Sequence, residues 1–217
     1  MRTAVRAHAP TILVTAFEPF GGSPLNPTIE ILRILGTLPC ALGRRVFATL
    51  PVVSGTGPTS AWAALKRALE EFAPDAVVAL GESARADQLN FERVALNLLD
   101  ARIPDNAGVQ ITDARVIDGA ADAHFATIPL REMLAACASE GVAAQLSLSA
   151  GTFLCNEVMF RLLEHGTPRV SGFLHVPQLP EQAQARGGPS MEAETSARGV
   201  HAALEVLAAR LATGVLA

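Results

Sequence analysis

Five short apolar runs constrain this chain more than any other feature: TILVTAF (11–17), RVFATLPVV (45–53), DAVVALG (75–81), QLSLSAG (145–151) and VSGFLHV (170–176). They are too short for helices and mostly unbroken, as expected of strands covered on both faces. Helical patterns separate them. GPTSAWAALKRALEEFAP carries Trp62, Leu65, Leu69 and Phe72 on one stripe, with Pro58 suited to a first turn. PLREMLAACASEG places Leu130, Met133, Leu134 and Cys137 at spacings of three and four between Pro129 and Gly141. A last helix opens near Ser190 and aligns Val200, Leu204, Leu207 and Leu211. Such alternation predicts an α/β sandwich around a largely parallel sheet.

Two stretches break the rhythm. Residues 89–101, LNFERVALNLLDA, alternate loosely and read as a strand or hairpin outside the main order. Residues 102–123 carry turn formers and charge with few long apolar side chains, which predicts a long surface loop that is either functional or mobile. No linker or repeat divides the 217 residues, so one domain over 1–217 is expected, with 1–10 as a flexible N-terminus.

Composition narrows the partners. A net charge of −4 without a basic run argues against nucleic acid or an anionic membrane surface. No segment approaches the ~20 apolar residues of a membrane span, and MRTAVRAHAP lacks the apolar centre of a signal peptide. Three cysteines without a CxxC pair predict no disulfide framework, which fits a reducing cytoplasm. Neither GxGxxG nor GxxxxGK is present, and no spacing fits a metal site.

The most informative seam is SAGTFLCNEVMF (149–160), where Cys155 stands between a strand and the first turn of a helix. There the helix dipole and free N–H groups favour a thiolate and can hold an oxyanion. The alternative is a small packing residue. Cys137 falls on an apolar stripe and reads as core, and Cys40 has no visible partner.

A cysteine nucleophile needs a base and a group to orient that base. His8 lies in the expected flexible terminus, His124 starts a connection, His165 suits a helix C-terminus and His201 fits a solvent face. His175 ends an apolar strand before a proline-punctuated loop, where ligands of open α/β sheets bind; it is either a base or a structural imidazole. Glu92 is either its orienting carboxylate or half of an ordinary Glu92–Arg93 surface pair. FEPFGGSPLNP (17–27) offers either an aromatic wall for a flat ligand or a tight turn with buried rings. In ARIPDN (101–106), Arg102 and Asp105 are site residues or an ion pair stapling the loop.

Together, FEPFGGSPLNP, ERVALNLLDARIPDNAG, SAGTFLCNEVMF and GFLHVPQLPEQ resemble, in order and spacing, the pyroglutamyl peptidases of type I, the pyrrolidone-carboxylate peptidases. The resemblance spans roughly residues 11–212. It implies a single-domain three-layer α/β/α sandwich around a largely parallel, mixed twisted sheet. It also implies a cytosolic cysteine peptidase without metal or cofactor, commonly a homotetramer, that removes N-terminal 5-oxoproline from peptides through a thioester. The implied triad is Cys155, His175 and Glu92, with Arg102 supporting the oxyanion. Phe17, Phe20, Asn26, Phe153 and Leu154 are the implied ring-binding residues.

The chain departs from the family pattern at GESARA (81–86), where relatives usually read close to GQAGGR, and at Val52, where many have threonine. Glu82 therefore replaces an amide that both donates and accepts with a carboxylate that, ionised, only accepts. It either accepts the lactam N–H or weakens binding of a neutral ring. Two other functions stay open: a lactam-binding protein without turnover, and an amidase for another cyclic amide.

Overall fold

In the first strand, β1 (Thr11–Phe17), all seven residues are buried, as its unbroken apolar run requires. The structure, a computed structural model, describes residues 9–214. His8 and most of the expected flexible terminus, residues 1–8, lie outside the described residues.

After β1 come α1 (Pro27–Thr37), β2 (Arg44–Leu50), α2 (Ala61–Phe72) and β3 (Ala76–Ser83). Then follow β4 (Leu89–Glu92), β5 (Val94–Leu96), β6 (Ala123–Phe125), α3 (Leu130–Ser139) and β7 (Ala144–Ser147). The chain continues through α4 (Leu154–His165), β8 (Val170–Pro177), α5 (Pro180–Arg186) and α6 (Ala193–Thr213). Local chemistry sets several boundaries. Asn26 caps α1 by accepting the Thr28 N–H, with Pro27 in the first turn; Ser60 caps α2 through the Ala63 N–H. Gly166, in the left-handed conformation at φ 65°, closes α4.

The main sheet has the order β2-β1-β3-β8-β4-β7. β1, β2, β3 and β8 run parallel, β4 is antiparallel to β8, and β7 is parallel to β4. Helices α1, α3 and α6 cover one face through Ile31, Leu35, Met133, Val200 and Leu204. On the other face α2 and α4 bury Leu65, Val158, Met159 and Phe160. The expected three-layer α/β/α sandwich around a mixed, largely parallel sheet is observed.

Several expectations need correction. β4 belongs to the main sheet, where its reversed direction makes the sheet mixed; only β5 leaves it, pairing with β6 in a separate ribbon. The run 145–151 is strand only to Ser147, and Leu148 is 71% exposed. β7 is an edge strand whose sole neighbour, β4, is four residues long, so its ladder has nothing further to pair with.

The stretch 102–123 is irregular, but it is stapled down. Asn97 Nδ2 donates to the carbonyls of Ile117 and Ala121, and Asn97 Oδ1 accepts the Ile117 N–H. His201 is not on a solvent face: it is half-buried, with Nδ1 2.9 Å from Arg45 Nη1. Burial, then the Arg45 charge, hold its pKa below the usual histidine range.

Candidate active site

Three parallel neighbours, β1, β3 and β8, bring their carboxyl ends to one edge of the sheet, where α/β ligands bind. Phe17 ends β1, Glu82 is the next-to-last residue of β3, and His175 lies two residues before the end of β8. Alongside β8, antiparallel β4 places Glu92 opposite Phe173.

Glu92 is only 1% exposed, so it is no surface partner of Arg93. Its Oε1 lies 2.8 Å from Nδ1 of His175, itself 8% exposed. With the carboxylate accepting, Nδ1 is the donor, which leaves Nε2 for Cys155, whose charge favours the imidazolium. Burial opposes a positive charge on His175. The charge and hydrogen bond of Cys155, followed by those of Glu92, outweigh it and push the imidazole up to about 10.

Cys155 is half-buried and is the second residue of α4. No side chain caps that helix, so its first N–H groups remain available to an anion. Cys137, by contrast, is buried against α6 with Sγ 3.3 Å from the Gly199 carbonyl, and burial pushes its thiol up to about 11. It is core, as its stripe position predicts.

Gly81, the register partner of His175, leaves the space that the Cys155 sulfur occupies. A Cβ there would lie 2.8 Å from Cys155 Sγ and 2.7 Å from Phe173 Cζ. Phe173 in turn packs against both the His175 ring, at 5.0 Å between centroids, and Phe17, at 6.5 Å.

The helix turn after Cys155 is anchored by Asn156 and Glu157, to which sequence alone assigns no role. Asn156 accepts the Leu96 N–H at 2.8 Å and donates to the carbonyls of Leu96 and Leu98. Glu157 Oε1 accepts the Gly55 N–H at 2.9 Å and pairs with Arg161 at 2.8 Å. Their signal was present: polar residues in an otherwise buried helix, with Glu and Arg four apart.

Beside Cys155 lies a small, partly open hollow. Phe17, Phe20, Val52 and Phe153 give it apolar walls, completed by Leu154, Asn26 and Glu82. Phe17 and Phe20 are therefore wall residues of a cavity. Asn26 has a second duty: Oδ1 accepts from Thr28, and Nδ2 donates to the Glu18 carbonyl at 3.1 Å, fixing the loop.

Arg102 is exposed and is not among the residues lining the hollow. It sits on a loop that flanks the site, since Asn106 donates to the Pro19 carbonyl at 3.0 Å. Asp105 staples this loop by accepting the N–H groups of Ser54, Ala107 and Val109; it does so through backbone amides rather than through an ion pair with Arg102.

The sequence model of the family described as pyroglutamyl peptidase matches residues 10–210. This chain belongs to the pyroglutamyl peptidase family. It is 39% identical over 204 residues to a pyrrolidone-carboxylate peptidase of Pyrococcus furiosus, covering 90% of this chain and 96% of the relative. Identity to the pyrrolidone-carboxylate peptidase of Pseudomonas fluorescens is 43% over 197 residues, covering 89% and 90%.

Solved structures in the family agree in fold. A mutant pyrrolidone carboxyl peptidase of P. furiosus superposes with TM-score 0.87 at 37% identity, covering 93% of this chain and 99% of that one. Pyroglutamyl peptidase I of Bacillus amyloliquefaciens gives 0.86 at 30% identity, covering 93% and 98%. Among the described residues, no group of three or more His, Cys, Asp or Glu could hold a metal ion, and no helix is long and apolar enough to cross a membrane.

Proposed function

We propose that this chain is a cysteine peptidase that removes an N-terminal pyroglutamyl residue from peptides. The observation carrying this reading is the buried Glu92–His175 hydrogen bond, with Cys155 acting on the same imidazole and lining the adjacent hollow with Phe17, Phe20 and Phe153. Nε2 of His175 takes the Cys155 proton, and Sγ attacks the pyroglutamyl carbonyl carbon. The resulting oxyanion rests on N–H groups of the first turn of α4. His175 returns the proton to the leaving amine nitrogen as the C–N bond breaks. Water, deprotonated by His175, then cleaves the thioester and releases pyroglutamate.

The lactam is flat and uncharged. Phe17, Phe20 and Phe153 supply matching apolar walls, Leu154 closes the end near the nucleophile, and Glu82 accepts the ring N–H. Asn26 keeps one uncommitted amide proton for the ring carbonyl. The enzyme works in the cytoplasm as a homo-oligomer, a tetramer by resemblance, without metal or cofactor. Release of chromophore from a pyroglutamyl anilide tests the reading; cleavage of prolyl or glutaminyl anilides in its place would point to a different amidase.

Two variants follow. Arg102, on the loop beside the site, is assigned a share in stabilising the oxyanion once peptide is bound. Arg102→Ala should lower kcat roughly 100-fold with little change in KM; unchanged kcat would reduce Arg102 to a loop residue. Gly81→Ala should lower kcat/KM by about 100-fold, because its methyl group displaces Sγ and the ring of Phe173. It should also destabilise the fold by about 1–3 kcal/mol, measurable by denaturant titration.

A further inference from the structure

A carboxylate in the wall of a cavity meant for a neutral ring demands compensation. Glu82 lines the hollow with the aromatic walls, but its side chain is only 1% exposed. An unpaired charge at such a site would either shift its protonation or repel an apolar occupant. Two side chains of α5 meet it. Arg186 donates from Nη2 to Glu82 Oε1, and Gln182 donates from Nε2 to Oε2 at 3.0 Å.

Gln182 also ties the cluster to the loop between β1 and α1, and Arg186 ties it to Gln178. Gln182 Nε2 also lies 3.0 Å from Ser23 Oγ and 3.1 Å from the Leu25 carbonyl, and Gln182 Oε1 accepts the Leu179 N–H. Arg186 donates from Nε to Gln178 Oε1 at 2.5 Å, and Gln178 holds the carbonyls of Gly187 and Pro189. Arg186 keeps 35% of its side chain exposed, so its charge is held at the rim while the carboxylate lies within.

We propose that Arg186 is a specificity-determining positioning residue: it neutralises and orients Glu82 so that the carboxylate accepts a lactam N–H without presenting net charge to the ring. α5 then acts as a counter-charge clamp on the pocket. Arg186 does not touch the substrate; it acts through Glu82. The carboxylate favours rings that carry an N–H donor, and discriminates against isosteres with oxygen or methylene in that position.

This proposal rests on the peptidase reading, and one set of assays separates the two. Pyroglutamyl-anilide kinetics are measured for the wild type, Arg186→Ala, and Arg186→Ala combined with Glu82→Gln. Arg186→Ala should raise KM on the order of 10–100-fold with kcat nearly unchanged, since it strands a carboxylate in the pocket. Glu82→Gln in the same chain should recover most of that loss, because a neutral amide needs no counter-charge. An Arg186 that merely braces α5 through Gln178 would not be rescued from the other side of the pocket.

Should Arg186→Ala fail to fold, Arg186→Gln with and without Glu82→Gln carries the same comparison. Wild-type turnover with KM unchanged in the single variant, or a raised KM that Glu82→Gln leaves uncorrected, overturns the clamp and spares the peptidase. Absence of wild-type turnover overturns both.

Discussion

Cys155→Ala is expected to lower kcat for a pyroglutamyl anilide by roughly a million-fold, the scale seen when a catalytic nucleophile is removed. The argument is geometric. Among the described cysteines, Cys155 alone acts on His175 and lines the aromatic hollow. Neither other thiol can substitute. Cys137 is buried, with its pKa pushed up to about 11, and Cys40 donates to the Leu42 carbonyl near the start of β2. The cavity walls are contributed by other residues, so the variant should still bind pyroglutamate by calorimetry with its melting temperature little changed. Turnover within about tenfold of wild type would remove Cys155 from the mechanism.

Glu92→Gln should reduce kcat by about 10⁴-fold, because an amide can present its N–H to Nδ1 and stabilise the wrong tautomer. The pH profile supplies a second signature. The folded-state pKa of His175 is raised from 6.5 to about 10, against the effect of burial, by the charge and hydrogen bond of Cys155 and then by Glu92. The His175 imidazolium therefore persists through neutral pH, where the proposed mechanism needs it to protonate the leaving amine, and is lost only as pH rises towards 10. The same sign applies to folding: this contribution is complete below about 6.5 and vanishes on passing the folded pKa. Removing the Glu92 charge removes one of the raising influences. The alkaline limb of kcat/KM should move to lower pH in Glu92→Gln, as should the alkaline unfolding midpoint. An unmoved limb would show that Glu92 does not act on His175.

Much of this was legible because apolar runs report burial directly. β1, β3 and β8 read as strands for the same reason that they lie inside the sheet: no polar face interrupts them. Strand direction leaves no such mark. LNFE has a composition that suits either orientation, so the reversal of β4 could only come from the pairing itself. QLSLSAG looks continuous as a sequence, but the ladder stops where its short partner stops.

In the site, Cys155 was visible at a strand–helix seam, while His175 and Glu92 were ambiguous one at a time. Eighty-three positions separate those two residues, and nothing local couples them. Four motifs in register resolved what spacing alone could not. The Arg186–Glu82 contact spans 104 positions and leaves no mark in the sequence, since an arginine near the end of a short helix resembles any solvated side chain. By resemblance Asn26 is a ring-binding residue, and Asn-Pro at a helix start describes its cap role equally well.

Site-resolved alkylation tests the central claim most directly. Iodoacetamide is added in limiting amounts, labelled cysteines are mapped by mass spectrometry, and pyroglutamyl-anilide turnover is followed in the same samples. Turnover should fall in proportion to carbamidomethylation of Cys155, and a pyroglutamate analogue should slow both together. Full activity in protein labelled at Cys155, or activity lost in step with Cys40 while Cys155 stays free, would contradict the account.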